Sequence, residues 1–355
     1  MTMAMDEAAI RSALLKWFRR CARPLPWRKS ADAYAVWVSE VMLQQTQVAT
    51  VIPYYHRFLQ TFPTISELAR APLERVLELW SGLGYYRRAR HLHDAAKEVM
   101  RRFGGVFPQD YQQMRTLPGI GDYTARAILS IAFNRPYTLL EGNVARVLSR
   151  LDVLKGNLHQ GGFRDAVEDR LGRLLSRRRP GAFNQALMEL GQTLCLPRAP
   201  RCAPCPVRGW CRGYQSGQAE LYPQPRPRRA VEYPYLAVAI IRRGPRVAMV
   251  RGLDGGLMAD LWNFPSAFGD SRSEALSSLR EKLAASRRAS VLFQESIAEL
   301  GHRITYRAIR VDAYPAEVSR HAGREPFEWF LVSTLPQAAI SHLARKIAHE
   351  VFDDA

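Results

Sequence analysis

The feature that most constrains this chain is a run of cysteines. Cys195 to Cys211 reads C-L-P-R-A-P-R-C-A-P-C-P-V-R-G-W-C, a C-x6-C-x2-C-x5-C spacing that holds Cys195, Cys202, Cys205 and Cys211. Cys21 stands far from them and is expected as a half-buried bystander. A disulfide pair suits a secreted chain, but no charged n-region, apolar h-region and small-residue cleavage site opens the sequence. In a reducing compartment such spacing reads as a metal site. Four thiolates suit zinc or a [4Fe-4S] cluster. Structural zinc usually sits between two C-x2-4-C knuckles, and only the middle pair here has that spacing. The long outer gaps favour a loop wrapped around a cluster and leave zinc open. Arg198, Arg201, Arg208 and Arg212 lie in or beside the loop. Some of them should offset thiolate charge, and others should face phosphate.

At 355 residues the chain is long enough for two domains with cores of their own. Lys plus Arg number 51 against 33 Asp plus Glu, a net charge of +18. That excess makes a polyanion, nucleic acid first, the expected partner. No apolar run is long enough to cross a membrane, and a cytoplasmic, nucleoid-associated location is expected.

Along the chain, Ile10, Leu14, Trp17 and Phe18 share one side of an expected helix over residues 6–20. The prolines at 24 and 26 end it. From Ala33 to about Leu190, apolar residues recur at three and four. Breaks fall at Pro53, Pro63, Pro72, Gly82-Leu83-Gly84, Gly104-Gly105, Pro118-Gly119 and Pro136. This predicts an all-α domain of many short helices over 1–212. Residues 213–234 carry Pro223, Pro225, Arg226, Pro227, Arg228, Arg229 and Pro234, and read as a semi-extended basic linker. The periodicity then changes. Strands are expected over 235–241, 246–250, 304–314 and 327–332, and helices over 273–289 and 337–353. Residues 235–355 are therefore expected to form an α+β domain.

Leu117-Pro118-Gly119-Ile120-Gly121-Asp122 lies between two helical segments and reads as a helix-hairpin-helix turn. Gly119 and Gly121 let backbone N–H groups approach a phosphate, and the next helix, capped by Asp122, adds its dipole. Such a turn grips backbone, not sequence. The hairpin, the acid before Gly142-Asn143 and the cysteine loop together resemble the endonuclease III superfamily of base-excision DNA glycosylases. Val36-Trp-Val-Ser-Glu-Val-Met-Leu-Gln-Gln-Thr-Gln-Val48 and Gly82-Leu-Gly-Tyr-Tyr86 resemble its adenine DNA glycosylase branch, whose members remove adenine mispaired with 8-oxoguanine. The resemblance runs from about Leu14 to Val351. It implies an all-α helix-hairpin-helix glycosylase domain with an iron-sulfur loop, followed by an α+β Nudix-like domain. Within 1–212 it implies a six-helix part over about 30–135 and an iron-sulfur part made of about 1–29 plus 136–212. It implies a [4Fe-4S] cluster on the four loop cysteines, and double-stranded DNA with an A:8-oxoG or A:G mispair as partner. No motif points to an oligomer, so a monomer is expected.

Adenine is a poor leaving group until its N7 is protonated. A buried Glu with a raised pKa suits that task, and the resemblance places the acid at Glu40. The family pattern has Asp before Gly-Asn, where it faces the cationic sugar and caps a helix. Here Glu141 replaces it. Glu is the poorer N-cap, and a displacement of roughly 1 Å can cost about a hundredfold. Asn143 is expected to orient that carboxylate or the attacking water. Tyr123 stands where strand-cleaving members carry a nucleophilic Lys, so a monofunctional glycosylase without lyase action is expected. Gln45, with Gln44 and Thr46 beside it, and Tyr85 match positions that wedge the duplex when the adenine leaves the stack. Leu25, Trp27 and Arg28 match the pocket wall, and Gln185 a residue that reads the adenine edge. In the C-terminal domain, Leu257 to Ser266 is the most recognisable segment, and no G-x5-E-x7-R-E-x2-E-E box is present. That domain should therefore recognise, not hydrolyse. The family's Phe-Ser-His tip, which senses 8-oxoguanine, falls on Ile304, Thr305 and Tyr306. Alternatives are a pyrimidine-damage glycosylase with lyase action, disfavoured by Tyr123, a catalytically weakened or non-catalytic cluster-bearing DNA-damage-binding protein, favoured only by Glu141, and a nucleotide pyrophosphatase, disfavoured by the missing box.

Overall fold

The computed structural model describes residues 2–225, 230–258, 261–287, 291–318 and 327–352. Arg226, Pro227, Arg228 and Arg229 of the basic stretch lie outside the described residues. So do Ala259 and Asp260 of the Leu257–Ser266 segment, and the last residues of the two expected C-terminal-domain helices. The chain divides into two compact units. One is Met1–Pro72 with Arg88–Pro227, and the other is Leu73–Arg87 with Arg228–Ala355.

The first unit is helical. Its helices are α1 (Thr2–Cys21), α2 (Ala33–Leu43), α3 (Val48–Thr61) and α4 (Ile65–Arg70), then, after α5 (Leu73–Trp80) of the other unit, α6 (Arg87–Phe103) and α7 (Tyr111–Arg115). They continue as α8 (Asp122–Ile131), α9 (Gly142–Asp152), α10 (Gly161–Leu174), α11 (Pro180–Thr193) and α12 (Arg212–Gln215). Local chemistry sets several starts. The Asp32 carboxylate accepts from Ala35 N at 2.8 Å and caps α2. Thr64 and Glu67 form a reciprocal capping box on α4. Helix α2 is buried from Tyr34 to Met42, so its sequence shows no polar face and it runs through the middle of the unit. A second core gathers Ile10 and Leu14 of α1, Leu148 of α9, Leu171 of α10 and Phe183 of α11, with Cys195, Cys205 and Cys211 packed against it.

Three local expectations change. Gly121, not Asp122, holds the cap position of α8. Asp122 lies in the first turn and accepts from Tyr111 Oη and Arg126 Nε. Cys21 is exposed rather than half-buried. The first part of the stretch expected as a semi-extended linker over 213–234 is folded. It holds most of α12, a 3-10 turn at Ala219–Leu221, and a buried Tyr222 whose carbonyl accepts from Arg150 Nε at 2.9 Å. Among the described residues no helix is long and apolar enough to cross a membrane.

The second unit is α+β. Its strands are β1 (Tyr235–Ile240), β2 (Arg242–Arg243), β3 (Arg246–Arg251), β4 (Trp262–Asn263), β5 (Ser266–Gly269), β6 (Val291–Phe293), β7 (Ala298–Ile304), β8 (Arg307–Val318) and β9 (Glu328–Leu331). One sheet has the order β5-β1-β8-β6 with β7 beside β8, and its β1–β8 pair is parallel. The other is β2-β3-β4 with β9 on β3. Alternation along β1 explains the layers. Ala237 and Ala239 meet Ala275, Leu279 and Leu283 of α13 (Arg272–Arg287), while Leu236, Val238 and Ile240 meet Leu343, Ala344 and Ile347 of α14 (His342–Phe352). The strand expected over 304–314 is present from Arg307 as β8, but it is the second arm of a hairpin whose first arm, β7, is not among the expected strands. β7 ends at Ile304, Thr305 and Tyr306 turn, and Arg307 pairs back with Ile304. Ile, Thr, Tyr and Arg in a row give the turn no composition signal. Helix α14 starts at 342 because the Ser341 hydroxyl accepts from Ala344 N at 2.9 Å.

Candidate active site

Helix α2 carries Glu40 into the first unit's interior, where the residue is 7 % exposed. Burial pushes its carboxyl up to about 7, and Glu141 adds to the rise; a hydrogen bond from Tyr123 and the charge of Arg28 oppose it. An open cleft of about 650 Å³ is lined by Glu40, Gln44, Gln45, Thr46, Tyr123, Glu141 and Asn143 among others. A second, more enclosed cavity of about 30 Å³ is walled by Leu25, Trp27, Arg28, Gln185 and Met188, and Glu40 lines it too. The acid is therefore shared between a cleft open to solvent and a largely apolar pocket.

Each neighbour is held in place. Trp27 lies in a 3-10 turn and packs edge-on against Tyr55, with ring centroids 5.4 Å apart. Arg28 Nη2 donates to Glu189 Oε2 at 2.9 Å, and Arg23 Nε donates to Glu189 Oε1 at 2.7 Å. Burial alone would raise the Glu189 carboxyl, but hydrogen bonds from Arg23 and Arg28 hold it below its ordinary range. Burial, Glu40 and Glu141 push the Tyr123 hydroxyl far up, so it stays protonated and acts as a donor, shared between Glu40 and Met188 Sδ, the latter at 3.8 Å.

Glu141 is the N-cap of α9. One carboxylate oxygen accepts from Val144 N at 2.9 Å, and the other accepts from Asn143 N at 2.8 Å and Asn143 Nδ2 at 3.0 Å. The longer side chain thus caps with both oxygens, which corrects the expectation of a poor cap. Its extra methylene lets the carboxylate reach across the first turn. Asn143 Oδ1 accepts in turn from Arg146, which also donates to the carbonyls of Gly191 and Cys195.

The loop after α2 is strained. Gln45 is exposed and left-handed, with φ +56°, and lies outside the helix. Arg88 gathers this end of the chain. Its Nη1 donates to the carbonyls of Val41, Met42 and Gln44 at 2.8, 2.9 and 2.5 Å, and its Nη2 to Thr46 Oγ1 at 3.2 Å. In the hairpin, Gly119 has φ +70°, and a Cβ there would lie 2.5 Å from His91 Cβ, so only glycine fits. Tyr85 belongs to the second unit, 54 % exposed and with φ +50°. Thr305 and Tyr306 also lie there, at the β7–β8 tip.

The four loop cysteines line one cavity together with Arg150, Leu190 and Val207. Burial pushes the Cys205 thiol up to about 12, and its cysteine neighbours add to the rise. Arg150, 2 % exposed, donates to Leu196 O, Pro197 O and Cys195 Sγ. Among the described residues, no set of three or more His, Cys, Asp or Glu side chains closes on a single metal ion.

The expected residues thus fall into four places: the cleft and its pocket, the hairpin, the cysteine cavity, and Tyr85 and Thr305-Tyr306 in the second unit. Sequence reasoning missed Arg23, Glu189, Arg146, Arg150 and Arg88. A signal existed for two of them. Glu189 interrupts the apolar side of α11 between Ala186 and Leu190, and Arg150 lies between Ser149 and Leu151 on the buried side of α9. A charge on an apolar side demands a partner.

Residues 38–171 match the family described as HhH-GPD superfamily base excision DNA repair protein. The adenine DNA glycosylase of Mus musculus is 40 % identical over 313 residues, 74 % of this chain and 61 % of that protein. The adenine DNA glycosylase of Buchnera aphidicola subsp. Acyrthosiphon pisum is 34 % identical over 283 residues, 78 % of this chain and 79 % of that protein. The chain thus spans about three fifths of the length of the mammalian relatives it matches. Among solved structures, a non-covalent endonuclease III–DNA complex superposes with a TM-score of 0.51 at 21 % identity, covering 61 % of this chain and 99 % of that one; this likeness is one of fold. By its identity to a relative matched over most of both lengths, the chain belongs to the adenine DNA glycosylase family.

Proposed function

We propose that the chain is a monofunctional DNA N-glycosylase of base-excision repair. Its substrate is adenine mispaired with 8-oxoguanine or guanine in double-stranded DNA, on which it acts as a monomer. One observation supports the reading: Glu40, its carboxyl pushed up to about 7, lines both the open cleft and the enclosed pocket. A base swung out of a duplex would enter the cleft, and the pocket, at about 30 Å³, would widen to take it. Leu25, Trp27 and Arg28 would wall it and Gln185 would face its edge. Glu40 then gives its proton to N7, and the bond between the sugar carbon and N9 breaks with its electron pair going to the base. The cationic sugar faces the Glu141 carboxylate, whose orientation Asn143 sets. Water adds to the sugar carbon, its proton restores Glu40, and adenine and an abasic site are released. Tyr123 cannot form a Schiff base, so the strand stays intact.

Gly119 and Gly121 would grip phosphate, as would the basic surface, while Gln45, with Gln44 and Thr46, and Tyr85 fill the gap in the stack. Cys195, Cys202, Cys205 and Cys211 line one cavity, and four thiolates are a donor set that would suit a [4Fe-4S] cluster. The group would fasten the loop, and Arg150 would face its negative charge. We assign chemistry to the helical domain, 1–212, and recognition of the opposite base to a Nudix-like domain, 235–355, through Thr305 and Tyr306. The test is a duplex carrying adenine opposite 8-oxoguanine, incubated and then treated with alkali. Strand scission only after alkali is expected. Scission without alkali overturns the monofunctional reading, and no abasic product overturns the glycosylase reading.

A further inference from the structure

The Thr305-Tyr306 tip lacks the residues the resemblance implies, and a brace stands behind it. Thr305 is the first residue of the two-residue turn and has φ +54°. A β-branched residue rarely adopts that conformation and keeps it only where the surroundings over-determine it. The surroundings here are a third strand. Glu232 pairs in parallel with Arg307. Its N–H donates to Tyr306 O at 3.0 Å, its carbonyl accepts from Ala308 N at 2.8 Å, and Pro234 O accepts from Arg310 N at 3.0 Å.

The side chains continue the brace. Arg307 Nε donates to Glu232 Oε2 at 2.9 Å, and the same guanidinium lies over the Tyr306 ring, 5.6 Å from its centroid. The contacts therefore run in series from Glu232 to Arg307 to Tyr306. The two charged side chains are 34 % and 43 % exposed, so their attraction adds little to stability. What they fix is direction. A planar guanidinium held at Nε by a carboxylate has few orientations left, and the ring beside it inherits that restriction.

We propose that Glu232 is a positioning residue for reading the base opposite adenine: through Arg307 it holds the Tyr306 ring in the orientation that prefers 8-oxoguanine. The inference rests on the reading of Thr305-Tyr306 as the lesion-sensing tip. It explains how a tip with different side chains can still discriminate, because the rigidity comes from outside the hairpin.

The experiment measures single-turnover adenine excision opposite 8-oxoguanine and opposite guanine, on the full chain, for Tyr306→Ala, Glu232→Ala, Glu232→Gln and the Glu232→Ala/Tyr306→Ala double variant. Glu232→Ala and Glu232→Gln are expected to lower the 8-oxoguanine preference about two- to fivefold, the range of one exposed charge pair. The double variant is expected to lose no more than Tyr306→Ala alone, because both changes break one series. Glu232→Asp should recover part of the preference. A merely structural role would slow both duplexes alike and leave the ratio intact, which overturns the proposal. So does a double variant whose losses multiply. If Tyr306→Ala lowers the preference and the Glu232 variants do not, the brace is wrong and the tip reading stands. If Tyr306→Ala leaves the preference intact, the tip reading fails and the brace falls with it.

Discussion

Removing one hydroxyl from the site reports on the acid directly. Burial raises the Glu40 carboxyl from 4.5 to about 7, and the hydrogen bond from Tyr123 is the largest influence pulling the other way. Tyr123→Phe deletes that donor and keeps the ring. A hydrogen bond to a charged group contributes about 1.5 kcal/mol net, which is about one pH unit. The Glu40 inflection should then move from near 7 to about 8. On the proposed mechanism the protonated carboxyl is the active form, so the excision rate should be flat below the inflection and fall about tenfold per pH unit above it. At pH 8 the native chain should work at about a tenth of its plateau and Tyr123→Phe at about half of its own. Glu141→Gln should move the inflection the opposite way, since Glu141 raises the Glu40 carboxyl. The assay is the single-turnover excision rate from pH 5 to 9 on a duplex with adenine opposite 8-oxoguanine. An inflection near the ordinary carboxylate range in the native chain, or a downward move in Tyr123→Phe, refutes the reasoning. Stability follows the same sign. A carboxyl raised in the folded state contributes fully below its unfolded value and loses that contribution as pH rises through about 7.

Three further outcomes are expected. Glu189→Ala leaves Arg23 and Arg28 without their buried carboxylate and should cost about 3 kcal/mol in urea unfolding; a loss below about 1 kcal/mol would mean that water replaces it. In Gly191→Ala the new Cβ would lie 2.7 Å from Asn143 Cβ, so α9 must shift and carry Glu141 with it. Excision should fall at least tenfold or so with helicity intact, and an undiminished rate would show that Glu141 tolerates the movement. The His302 imidazole is pulled down from 6.5 to about 4 by burial, with His342 and Lys346 adding to the effect. The unfolded chain then binds the proton first, so stability falls as pH drops from 6.5 to about 4, by roughly 1 kcal/mol once the ring's partial exposure is discounted. His302→Gln should flatten that part of a Tm-against-pH curve.

Much of the site was legible because it is written in short range. The hairpin needs its glycines within a few residues, and the cysteine loop needs its spacing. The apolar run around Glu40 announces a buried carboxylate or an exception. The β7–β8 turn was not legible, because Ile304 to Arg307 are all good strand residues and only the pairing of Arg307 with Ile304 reveals the reversal. Residues 212–225 misled for a related reason. Their prolines and glycines signal irregular backbone, but whether irregular backbone packs depends on partners such as Arg150, whose guanidinium reaches the Tyr222 carbonyl across 72 positions.

The sequence by itself determined the helical and α+β halves, since they follow from periodicity; the cysteine spacing pointed to a soft-metal site, and only the family resemblance singled out Glu40 as the acid. Only the tertiary structure decided what those groups can do. The Glu40 carboxyl is pushed up to about 7 because tertiary packing buries it. Glu141 caps with both oxygens because the start of α9 offers N–H groups at the reach of the longer side chain. Glu232 braces the tip because sheet pairing brings it beside Arg307. Desolvation and the meeting of distant side chains are properties of the packed chain, and no local pattern encodes them.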